Sequence, residues 1–133
     1  MPFQRHSLNS ALVPLYAKSM SDERYRTFDE FWPYYVREHS RPACRTLHFV
    51  GSTLAIVIVI VGAIYNPWLL LAVPIVGYGF AWIGHFAIEK NRPATFEYPL
   101  WSLIADWKMW GLMLTGRMAA EVEKAQSLAK VSP

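Results

Sequence analysis

Residues 49–65 read FVGSTLAIVIVIVGAIY and residues 68–86 read WLLLAVPIVGYGFAWIGHF, with Asn66-Pro67 between them. From Phe49 to Ile88 there is no Asp, Glu, Lys or Arg, and His85 is the only titratable group apart from two tyrosines. Each stretch has the length of a bilayer-spanning helix, and the Asn-Pro pair marks a turn. The two stretches therefore predict a transmembrane hairpin. A histidine stands at the far end of each arm. His48 lies 66 − 48 = 18 residues before the turn, and His85 lies 85 − 67 = 18 residues after it. At about 1.5 Å per residue both imidazoles sit roughly 27 Å from the turn, at one depth on neighbouring helices. Rotation about each helix axis is left open by the spacing.

Composition agrees with this reading. Hydrophobic residues make up 53% of the 133-residue chain and charged residues 17%, which suits one small membrane domain. A buried hairpin in a soluble oligomer is the alternative. The first twenty residues lack the basic-then-apolar pattern of a secretory signal. The net charge of +3 is modest and reads as membrane topology rather than nucleic-acid binding. Arg24, Arg26, Arg37, Arg41 and Arg45 precede the first arm, Lys90 and Arg92 follow the second, and the turn is uncharged. The positive-inside rule then places both ends, with His48 and His85, on the cytoplasmic side. The expected location is integral to a membrane, and nucleic acid is not an expected partner. The single Cys44 rules out an internal disulfide and reads as a spectator thiol.

The expected fold is all-α, a small polytopic membrane bundle with hairpin arms at about 44–65 and 67–90. An amphipathic N-terminal helix over Tyr25–His39 carries Tyr25, Phe28, Phe31, Trp32, Tyr35 and Val36 at helical spacing, which suits a place on the membrane surface. Pro33 predicts a bend or break in it. A third apolar helix is expected at about 99–118, interrupted by Asp106 and Lys108. The whole chain, 1–133, reads as one domain with a core at 25–118. Tails are expected at 1–20, with a short helix near 10–18, and at 121–133, where a charged amphipathic helix end from Ala119 frays into Val131-Ser132-Pro133. Small residues in the second arm permit a homodimer through Gly77, Gly79 or Gly84.

Polar groups gather at the open end of the hairpin. His39 is separated from His48 by a Pro-containing turn and can fold back over the helix mouth. His85 and Glu89 are four apart and share a helix face. Three imidazoles with a carboxylate make a plausible donor set for Zn²⁺ or non-haem Fe²⁺. Asp106, in the third apolar segment, is either one of the groups that act at this end or a partner of Lys108 or a loop cap. Arg45 suits a substrate carboxylate, and Arg45 and Glu89 are the candidate catalytic residues. Arg45, Asn91, Gly77 and Gly79 are the candidate substrate-binding residues, the two glycines leaving room for an apolar chain.

The stretch Glu38-His39-Ser40-Arg41-Pro42-Ala43-Cys44-Arg45-Thr46-Leu47-His48-Phe49-Val50-Gly51 resembles a family signature, E-H-x-x-P-x-x-R-x-L-H-x-x-G. Gly84 to Phe96 resembles that family's second signature, G-H-F-x-x-E-x-N-x-P-A-T-F, and Pro99 to Asp106 continues the likeness. The family is the one typified by the yeast endoplasmic-reticulum 2-hydroxy fatty acid dioxygenase, and this chain is similar to its compact bacterial branch. The resemblance implies Fe²⁺ as cofactor and O₂ and a 2-hydroxy fatty acid as substrates. The implied product is a fatty acid one carbon shorter. It also implies His39, His48 and His85 as iron ligands. Two other readings stand beside it: a b-type haem protein with His48 and His85 as axial ligands, and a non-catalytic lipid-binding membrane module.

Overall fold

A computed structural model describes residues 24–131. Among these residues there are five α-helices and no strand. The first, α1, spans Phe28–Glu38. Thr27 caps it by accepting a hydrogen bond from the Glu30 amide, and Asp29 and Glu30 complement the helix dipole. Pro33 lies inside this one helix rather than between two. Helix α2, Pro42–Ile64, opens on a proline at its first position, where a missing N–H costs nothing.

Asn66 and Pro67 make the turn, with the Asn66 side chain accepting from the Trp68 amide at 3.1 Å. The second arm is built in three pieces. A 3₁₀ turn over Pro67–Leu71 leads into α3, Ala72–Ile83, and then a π-helical turn over Gly84–Glu89. Lys90 ends the arm in the left-handed region at φ 56°. Helix α4 spans Pro99–Leu114 and α5 spans Met118–Val131, separated by Gly116 at φ 70°. There the Arg117 amide reaches back to the Leu112 carbonyl at 2.8 Å, a helix-ending pattern that favours glycine.

The hairpin crossing is tight because the buried face of α2 carries Cys44, His48, Gly51, Ala55 and Gly62, mostly small residues. A methyl group added at Gly51 would stand 2.8 Å from Phe80 Cβ, and one at Gly84 would stand 2.9 Å from Cys44 Sγ. Gly84 is thus spent on packing inside the chain. A second core lies beside the hairpin. Phe31, Trp32, Tyr35 and Val36 of α1 pack with Ala105 and Met109 of α4 and with Met118 and Ala125 of α5. The aromatic face expected on the membrane surface is therefore turned onto protein. Residues 118–131, beyond the expected core and largely within the expected C-terminal tail, form the helix that covers it, tied by the Trp32 indole N–H donating to Glu121 at 2.8 Å. The helix expected near 10–18 and the N-terminal tail lie outside the described residues.

Two segments, Pro42–Ile64 and Pro67–Glu89, are long and apolar enough to cross a membrane. Only 22% and 11% of their most apolar windows are buried within the chain. Ile75 is 73% exposed. Helix α4 has 16 residues, short of the ~20 needed to span.

Candidate metal centre

The turn between α1 and α2 folds His39 back onto the hairpin mouth. Arg45 holds that turn, donating from its guanidinium to the carbonyls of His39 at 2.7 Å and Ser40 at 2.8 Å. Glu89 holds it from the other side, accepting from the Arg41 amide at 2.6 Å and the Ser40 hydroxyl at 3.1 Å. The imidazoles of His39, His48 and His85 meet there. Ring centroids are 4.5 Å apart for His39–His48 and for His39–His85, and 5.2 Å for His48–His85. All three side chains are buried.

Hydrogen bonding fixes which nitrogens are free. His39 Nδ1 stands 2.7 Å from the Tyr35 carbonyl, which can only accept. Nδ1 therefore carries the proton and Nε2 the lone pair. His85 Nδ1 stands 2.7 Å from Asn91 Oδ1. The Asn91 amide N–H₂ donates to the Glu38 carbonyl and carboxylate, each at 2.9 Å, so its oxygen must face His85 as an acceptor. His85 Nδ1 is thus also a donor, leaving Nε2 free. His48 Nδ1 faces Asp106 Oδ1 at 3.5 Å, an electrostatic contact longer than a hydrogen bond. The Nε2 atoms of His39 and His48 are buried without a partner. A buried nitrogen with no partner costs free energy unless something else satisfies it.

Burial first, and then the neighbouring imidazoles of His48 and His85, hold His39 well below the ordinary imidazole range, so its ring is neutral. Burial, followed by the Asp106 carboxylate, lifts the Tyr35 phenol well above its usual value. Tyr35 therefore keeps its proton and donates it to Asp106. Each histidine turns one nitrogen to an oxygen partner and keeps the other for the centre, the arrangement that outer partners impose on metal-binding imidazoles. One donor atom from each of His39, Cys44, His48 and His85 lies within 4.8 Å of the others. This donor set fits a borderline or soft divalent ion.

A cavity of about 250 Å³ opens from this cluster between the second arm and α4. Its polar end holds the three histidines, Tyr35 and Asp106, and its far end is lined by Ala55, Val73 and Pro74. Trp82 and Trp107 flank it, each about two-fifths exposed. Among the described residues no Lys or Arg lines it. Of the sequence candidates, Gly77 lines the cavity; Gly79, Arg45, Glu89 and Asn91 do not. Tyr35 escaped the sequence reading, whereas Asp106, a lone acid in an apolar run, was among the groups weighed there and lines the cavity.

The fold and the cluster together define an all-helical protein with a buried histidine group able to hold a metal ion. The family model described as Mpo1-like, 2-hydroxy-palmitic acid dioxygenase Mpo1-like, matches residues 25–118, and the chain belongs to that family. No curated protein and no solved structure is detectably similar to it.

Proposed function

We propose that this protein is an Fe²⁺-dependent dioxygenase that shortens a membrane-borne 2-hydroxy fatty acid by one carbon. The observation that carries the proposal is the join between three buried imidazoles and an apolar cavity flanked by exposed aromatic residues. His39, His48 and His85 hold the ion. Fe²⁺, when bound, supplies the electron transfers that allow O₂ to react with the bond between C1 and C2. The overall reaction balances as hydroxy acid plus O₂ giving the shorter acid, CO₂ and water. The acyl chain lies along Gly77, Val73 and Ala55. Among the described residues no cationic side chain lines the cavity, so the ion, when bound, would be what neutralises the substrate carboxylate. Arg45 and Glu89 act by holding the turn that carries His39, and Asn91 acts by holding His85 in the metal-binding tautomer.

The hairpin lies in a bacterial inner membrane with the cluster on the cytoplasmic side, supported by the arginines flanking α1 and the start of α2. Lipid partitioning then delivers the substrate through the side of the bundle. The haem reading is disfavoured by a specific distance: His48 and His85 centroids are 5.2 Å apart, with His39 in contact with both, so no slot for a macrocycle lies between them. The test is iron analysis of detergent-purified protein, its absorbance spectrum, and O₂ uptake with 2-hydroxypalmitate followed by mass spectrometry. Near-stoichiometric iron, no Soret band and a product one carbon shorter are expected. A Soret band, or no turnover after anaerobic Fe²⁺ loading, would overturn the proposal.

A further inference from the structure

Cys44 is buried at 0% exposure and is the only cysteine in the chain. It lies one helical turn before His48 on the same face of α2, the i,i+4 spacing by which one helix presents two ligands to one ion. Its sulfur packs over Gly84, the residue beside His85, where any larger residue would collide with it. Its donor atom lies within 4.8 Å of donor atoms from all three histidines. Two of those histidines, His39 and His48, are more than nine-tenths buried and keep Nε2 without a partner. Donors held on one ion at about 2.0–2.3 Å stand roughly 3.3–3.8 Å apart in a tetrahedral set, so a contraction of about 1 Å closes the group.

We infer that Cys44 is a fourth ligand of the centre, giving a three-imidazole, one-thiolate donor set. The inference rests on reading the cluster as a metal centre. A thiolate softens the set, disfavours Mg²⁺ and Ca²⁺, and adds one negative charge beside the bound ion.

Cobalt loading reads this directly, because Co²⁺ shows visible d–d bands when bound and a near-ultraviolet charge-transfer band only when a thiolate ligates it. With one cysteine in the chain, such a band has one source. Full-length protein in detergent is loaded anaerobically with Co²⁺ alongside Cys44→Ser and Cys44→Ala, the second variant covering intolerance of a buried hydroxyl. The expected result is both band sets in the unaltered protein. In the variants the charge-transfer band is lost, the d–d bands remain and Co²⁺ affinity falls about tenfold or more. Visible bands without charge transfer in the unaltered protein would overturn the Cys44 assignment and leave a three-histidine centre standing. Absence of any bound cobalt would overturn the metal centre and the Cys44 assignment together.

Discussion

Replacing Gly51 by alanine tests the helix crossing that brings His48 against His85. The added Cβ would stand 2.8 Å from Phe80 Cβ, 3.4 Å from Phe80 Cγ and 3.5 Å from the Gly77 carbonyl oxygen. Phe80 Cβ is anchored to the backbone of α3, so a rotamer change cannot relieve the clash and the two arms must move apart. Overpacking of this kind costs about 1–3 kcal/mol. Alanine returns about 0.5–1 kcal/mol through its better helix propensity. The net expectation is a loss of up to about 2.5 kcal/mol. Gly79→Ala is the control. A Cβ there meets nothing within 4 Å, so only the gain of about 0.5–1 kcal/mol remains. Heat or SDS denaturation in detergent, followed by circular dichroism, should therefore rank Gly79→Ala above the unaltered protein and Gly51→Ala below it. Because Gly51 is three residues from His48, Gly51→Ala should also weaken Fe²⁺ binding, while Gly79→Ala should not. A Gly51→Ala protein as stable as the Gly79→Ala control would refute the tight crossing.

Asn91→Ala removes the acceptor that fixes the His85 tautomer and should raise the metal dissociation constant about 10–100-fold; an unchanged Fe²⁺ titration would dismiss that role. Ala55→Phe fills the cavity about 10 Å below His48, and in a mixture of 2-hydroxy acids the products should shift toward shorter chains. An unshifted product profile would place the acyl chain elsewhere. Trp32→Phe deletes the indole bond to Glu121 and should cost about 1 kcal/mol, read as faster hydrogen exchange along α5 with α2 unaffected.

The hairpin was legible because its signal is local: two long uncharged runs and one Asn-Pro turn. The mirrored histidines were legible for the same reason, since equal counts from a turn mean equal depth. Facing is different. It depends on helix rotation, which here follows from the small-residue stripe of Cys44, His48, Gly51 and Ala55. That 4-3-4 spacing was present in the sequence and would have drawn Cys44 into the site. The positions of Arg45 and Glu89 were not readable, because their partners are backbone groups in a turn whose shape no side-chain pattern encodes. Asn91 depends on Lys90 adopting a left-handed conformation, which lysine does not advertise. The helical pattern of α5 from Ala119 was readable, but its docking was not, because its weak apolar face becomes meaningful only against the aromatic face of α1.

The three histidines come from three segments, which raises the question of whether a metal assembles the site or enters one already built. Zinc-finger-type domains fold only with their ion because little else holds the ligands together. Here the weakest member by topology is His39, on the turn after α1 and outside the hairpin. Yet α1 is anchored by Phe31, Trp32 and Tyr35, all nearly fully buried. Burial of three such side chains is worth roughly 5–9 kcal/mol before ordering entropy is charged against it. The Asn91–Glu38 bonds and the Arg45 contacts add a second tether at the site itself. The balance favours a cluster that persists without its ion, with the tautomers of His39 and His85 set in advance by Tyr35 and Asn91. Chelation should then leave α1 resistant to proteolysis and the protein able to rebind Fe²⁺ without refolding. Cleavage within α1 after chelator treatment would mean that the ion, rather than the aromatic core, holds the site closed.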